Sequence, residues 1–85
     1  MSAALNAEAD SLQWQPVTSS DVAALAYNPT FRRAFARFKD GSVYAYHGME
    51  PHVFEGWLRS GSKGRYLWIV IRNRGADDRY AYQKI

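Results

Sequence analysis

The sequence predicts an α+β fold in which a small antiparallel sheet, built on a hairpin over residues 31–47 and a C-terminal strand, is covered by a helix over residues 51–60. Three observations carry this expectation. Between Phe31 and Lys39 the chain alternates, with Arg33, Phe35, Arg37 and Lys39 on one face and Ala34, Ala36 and Phe38 on the other, and Asp40-Gly41 can then turn it back onto "SVYAYH". After Glu50 the spacing becomes helical: Pro51 suits a first helical position, Val53, Phe54, Trp57 and Leu58 share one face, and Gly61 can end the helix. In "RYAYQKI", Tyr80 and Tyr82 fall on one side of an extended chain.

Taken in order, residues 1–16 show no apolar period and read as a flexible tail with at most a short Ala-rich helical turn, in which Trp14 either docks on the domain or meets a partner. The domain occupies residues 17–85. Ser19, Ser20 and Asp21 are turn or cap residues, and "VAALAY" reads as a short strand closed by Asn28-Pro29. The run "YLWIVI", residues 66–71, is ambiguous. Its bulky content suits a buried strand, whereas a cap at Ser62 would start a second helix over 62–73. "NRGADD" is a loop with Asp77-Asp78 solvated.

Eighty-five residues make one domain, which buries roughly 60% of the surface of its unfolded chain. A composition 47% hydrophobic and 15% aromatic supports a packed globule. The absence of cysteine excludes disulfides, thiolate catalysis and Cys-based zinc sites. No secretory pattern or membrane-length apolar run is present, so a cytoplasmic protein is expected. The net charge of +3 is uneven: from Phe31 onward eleven basic residues stand against five acidic ones, giving +6, a balance that attracts a polyanion.

The hairpin is the first candidate site, and its loop length decides its meaning. With a two-residue turn, Arg37 pairs with Tyr44 and Phe35 with Tyr46, placing cations and rings on one face that could stack bases and meet phosphates. With a three-residue loop, Tyr44 falls opposite Ala36 and Tyr46 opposite Ala34, and the tyrosines pack beneath the helix. Arg33, Arg37 and Lys39 then project from the opposite side beside an exposed Phe35. The second candidate is "SGSKGRY", where amides near Gly64 could cradle a phosphate assisted by Lys63 and Arg65. His47 and His52 have neither ligand spacing nor a partnered nucleophile, and no phosphate-binding Gly-rich loop of the nucleotide-hydrolysing kind occurs, so no catalysis, metal or cofactor is expected.

"SSDVAALAY", "FKDGSVYAY", "VFEGWL", "SGSKGRY" and "RYAYQKI", in that order, resemble the KTSC domain, a short module named for the C-terminus of some lysyl-tRNA synthetases. The family's Tyr-x-Tyr motif falls on Tyr44 and Tyr46, and its Ser-x-Gly-x-aromatic segment on Ser62, Gly64 and Tyr66; Leu67-Trp68 replaces a common aromatic-Asn step, so any role of that asparagine does not carry over. The resemblance implies a non-catalytic module for nucleic acid, RNA in particular, in a small bacterial or phage protein. The alternatives are a protein-interaction or self-associating module, motivated by the aromatic surplus, and capture of a small phosphate-containing ligand by Lys63 and Arg65.

Overall fold

The computed structural model describes residues 3–76 and 79–85, so the expected solvated loop at Asp77-Asp78 lies outside the described residues. Helix α1 (Ala3–Ser11) is followed by strands β1 (Gln15–Pro16), β2 (Val22–Asn28), β3 (Arg33–Phe38) and β4 (Val43–His47). Helix α2 (Pro51–Arg59), the short α3 (Lys63–Tyr66), a π-helical turn (Leu67–Ile71) and a 3₁₀ turn (Asn73–Gly75) lead to β5 (Tyr82–Lys84). The strands form one antiparallel meander in the order β1-β2-β3-β4-β5.

Between the hydrogen-bonded pair Phe38 and Ser42 the β3–β4 loop contains three residues, Lys39, Asp40 and Gly41. Phe38 donates its N–H to the Ser42 carbonyl at 2.8 Å, while Gly41 donates to the Phe38 carbonyl at 2.9 Å and adopts φ +93°. A three-residue loop needs a left-handed residue at its end, and glycine occupies that conformation without penalty. Tyr44 therefore pairs with Ala36 and Tyr46 with Ala34. Both rings lie on the face that α2 covers.

Helix α2 begins with Pro51, whose missing N–H costs nothing in the first turn, and buries Val53, Phe54 and Trp57. It ends at Arg59 with Ser60 as its cap, rather than at Gly61, because the Ser60 N–H and hydroxyl both donate to the Trp57 carbonyl. Ser62 caps the next helix as expected, accepting the Arg65 N–H at 3.3 Å. "YLWIVI" is helical: in that geometry Leu67, Val70 and Ile71 turn toward the core and Trp68 is left 50% exposed. Tyr66 locks this segment to α2 by donating its hydroxyl to the Val53 carbonyl at 2.8 Å, and Gly56 makes room, since a Cβ there would stand 2.5 Å from the hydroxyl.

Residues 3–16, expected as a tail, instead form α1, which packs on the opposite sheet face, and β1, which extends the sheet beside β2. Leu5 and Ala9 of α1 cover Ala26, Phe35 and Ala45, and Trp14 docks there with its indole N–H on the Ala9 carbonyl at 2.9 Å. A single leucine and a small alanine make too weak an apolar stripe for periodicity to reveal the helix. Among the described residues no helix is long and apolar enough to cross a membrane.

Candidate functional site

The α1 face does not present the expected basic and aromatic surface. Phe35, expected to be exposed, is fully buried at 0% exposure beneath α1, with the Trp14 ring edge-on at 6.3 Å. The Arg37 guanidinium lies 4.3 Å from the Trp14 ring centroid. Arg33 pairs with the Glu8 carboxylate and donates its Nε–H to His47 Nδ1 at 3.0 Å. Because a guanidinium can only donate, Nδ1 accepts this bond, and Nε2 faces Gln83 Oε1 at 3.1 Å as the donor. Asn28 donates to the other Glu8 oxygen at 3.1 Å. These contacts tie α1 to β2, β3, β4 and β5. What looked like a free basic strand is the underside of a docked helix.

The expected phosphate cradle is also altered. Lys63 is 8% exposed and its ammonium donates to the Ser60 carbonyl, while its own carbonyl accepts the Trp57 indole N–H at 3.0 Å. The side chain acts as an internal clasp between α2 and α3. Arg65 is exposed beside an apolar groove formed by Tyr66, Ile69 and Val70.

A cleft of about 480 Å³ opens on the α2 side of the sheet. Its rings come from three strands: Phe38 of β3, Tyr44 and Tyr46 of β4 and Tyr82 of β5, with Leu67 opposite. Pairing of Tyr46 with Tyr82 across β4–β5 stacks their rings at 5.9 Å and 30°. Tyr44 meets Phe38 edge-on at 5.7 Å, and Tyr82 is tilted toward Tyr44 at 6.3 Å. Helix α2 seals the far side of Tyr46 with Trp57, edge-on at 5.7 Å, but leaves Tyr44 half-buried and Tyr82 36% exposed. The cleft therefore has a fixed floor and accessible rings.

Charged groups border these rings. Arg72 lies 4.6 Å over Tyr82, and Lys39, Asp40 and Asp21 line the cleft at the hairpin end. The Lys39 N–H donates to the Asp21 carbonyl at 2.8 Å, tying the loop to the start of β2. Asp40 Oδ1 accepts both the Ser42 hydroxyl at 2.6 Å and the Ser42 N–H at 2.9 Å. Those hydrogen bonds, the hydroxyl first, favour the ionised carboxylate and hold its pKa below the usual range. Of the residues singled out from the sequence, Lys39, Tyr44 and Tyr46 meet here; Arg33, Phe35, Arg37, Lys63 and Arg65 do not line it. Phe38, Tyr82, Arg72 and Asp21 were missed as site residues. The β4–β5 pairing that brings Tyr82 to Tyr46 joins positions 36 residues apart, and only the alternation of "RYAYQKI" hinted at it.

Comparison with known proteins agrees with this architecture. The crystal structure of a KTSC domain protein from Yersinia pestis superposes with a TM-score of 0.77 at 28% identity, covering 88% of this chain and 99% of that one. A protein from Tsukamurella paurometabola is 35% identical over 60 residues, covering 71% of this chain and 90% of its own length. The sequence profile of the KTSC domain matches residues 18–74, which contain the β2–β4 meander, α2 and the helical turns behind the cleft. The chain belongs to the KTSC domain family.

Proposed function

We propose that this protein is a non-catalytic nucleic-acid-binding module that takes single-stranded RNA at the tyrosine-lined cleft. One observation carries the reading: above the buried Tyr46, the rings of Phe38, Tyr44 and Tyr82 stay partly accessible in an open cleft instead of being wholly spent on the core, and Lys39 and Arg72 stand at its border. An unpaired base packs against the accessible part of Tyr44 and against the Arg72 guanidinium that lies over Tyr82, stacking that contributes about 1–3 kcal/mol per base, and Lys39 meets a flanking phosphate. The excess of positive charge from Phe31 onward supplies longer-range attraction. Arg33 and Arg37, engaged with α1, contribute little.

The test is an amide NMR titration of isotope-labelled protein with a short single-stranded RNA at low and near-physiological salt. Shifts should cluster on Lys39, Tyr44, Arg72 and Tyr82 and weaken with salt, because phosphate binding releases counterions. Tyr82→Ala should weaken binding about tenfold with the fold intact, whereas Arg33→Ala with Arg37→Ala should leave cleft binding nearly unchanged. Absence of shifts at high RNA concentration would reject the reading. A second reading, a protein-interaction or self-associating module, is favoured by Phe31 at 61% and Trp68 at 50% exposure. A concentration-dependent dimer in sedimentation, lost on Trp68→Ala, would support it.

A further inference from the structure

We infer that the cleft prefers guanine and that the Asp21 carboxylate reads it; this rests on the RNA reading above. Asp21 lines the same cleft as the rings, at the hairpin end. Its backbone is held on both sides, the N–H by Ser19 Oγ at 3.3 Å and the carbonyl by the Lys39 N–H at 2.8 Å. The carboxylate lies against Gly64, where a Cβ would stand 3.4 Å from Oδ2. Among the described residues neither of its side-chain oxygens has a hydrogen bond or ion pair. The neighbouring Asp40 differs, because its Oδ1 is already occupied by the Ser42 hydroxyl and N–H. Asp21 is thus an exposed carboxylate on an anchored backbone, with two unused acceptors in the same cleft as the rings.

An ionised carboxylate accepts and cannot donate, so it selects a base edge by its donors. Guanine presents two adjacent donors, the N1–H and an N2 amino hydrogen, which match the two carboxylate oxygens. Uracil offers only the N3–H, flanked by carbonyl oxygens that a carboxylate repels. Adenine and cytosine each offer an amino group beside a ring nitrogen whose lone pair also faces the carboxylate. Bidentate contacts of this kind discriminate by about 1–3 kcal/mol, corresponding to a preference on the order of tenfold to a hundredfold. The cleft volume of about 480 Å³ falls in the range of ordinary small-ligand sites, so one base and its sugar can enter.

The experiment compares the trinucleotides UGU, UAU, UCU and UUU by amide NMR titration against the wild type and Asp21→Asn, which keeps the side chain's shape and removes its charge. The expected result is that UGU binds wild type at least about tenfold tighter than the other three. In Asp21→Asn the advantage of UGU collapses, because UGU binding weakens while UUU binding, relieved of the carboxylate's repulsion, holds or tightens, and the amide spectrum away from the cleft stays unchanged. Equal affinities for all four, with shifts still in the cleft, would overturn the guanine preference and leave the RNA reading standing. A preference for UGU that survives Asp21→Asn would overturn the assignment to Asp21. No binding by any trinucleotide would overturn both.

Discussion

The two faces of the sheet are covered by different means. On the α2 side, large rings interlock and, among the described residues, the buried polar side-chain atoms find partners. Trp57 is fully buried, Tyr27 stacks on Phe54 at 4.9 Å and donates its hydroxyl to the Met49 carbonyl at 2.6 Å, and Tyr80 donates to Glu50 at 2.7 Å. On the α1 side the contacts are small, Leu5 and Ala9 over Ala26, Phe35 and Ala45, supplemented by the Glu8–Arg33–His47–Gln83 chain. Aromatic burial makes the first face the core, because each ring removes far more apolar surface from water than an alanine does. The second face is a docked layer whose attachment depends more on directional polar contacts.

This contrast can be broken from the core side first. Trp57→Ala empties the centre of the α2 face and orphans the Lys63 carbonyl, so a loss of about 3–5 kcal/mol is expected in urea unfolding, a large fraction of the stability of so small a domain. Glu8→Ala acts on the other face. Its ion pair with Arg33 is partly solvent-accessible, so the expected loss is about 1 kcal/mol, with amide exchange quickening in α1 while α2 keeps its protection. If α2 loosened as much as α1, the two faces would be a single cooperative layer and the distinction would fail.

The mildest test uses pH. Burial first, and then the hydrogen bond to Glu50, push the Tyr80 hydroxyl up to about 12. An unfolded tyrosine ionises near pH 10, so between about pH 10 and about pH 12 the unfolded chain releases this proton and the folded one keeps it, and stability falls as pH rises through that window. Burial raises Tyr27 and Tyr66 in the same direction. Tyr80→Phe should flatten part of the alkaline loss seen by denaturant unfolding, whereas Glu8→Ala should leave that slope alone. At neutral pH the Tyr80 ionisation contributes nothing to the pH dependence.

The chain pattern made much of this arrangement legible. The alternation of Arg33 to Phe38 assigned residues to their correct faces, whereas Lys39, past the end of β3, lines the cleft beside Phe38 and not the face of Arg33 and Arg37 on which alternation placed it; the spacing of Val53, Phe54 and Trp57 identified the core side of α2. The helix α1 was illegible because its buried stripe is only Leu5 and Ala9. Missing α1 also meant missing the cover on Phe35 and the partners of Arg33 and Arg37. The site was half legible: Tyr44, Tyr46 and Lys39 were singled out, but Tyr82, Arg72 and Asp21 come from distant segments that only strand pairing and helix packing bring together.

From the sequence by itself came the α+β class, the hairpin, the faces of β3 and α2, the cap at Ser62, and the family resemblance. These rest on local rules: side-chain periodicity, backbone allowance at proline and glycine, and short motifs. Only the tertiary structure decided the loop length at Asp40-Gly41, the helical state of "YLWIVI", the docking of α1, the internal use of Lys63, and the convergence of three strands on one cleft. Each of those involves a local signal compatible with two outcomes, and the choice fell to whichever outcome buried the rings and gave the polar groups partners.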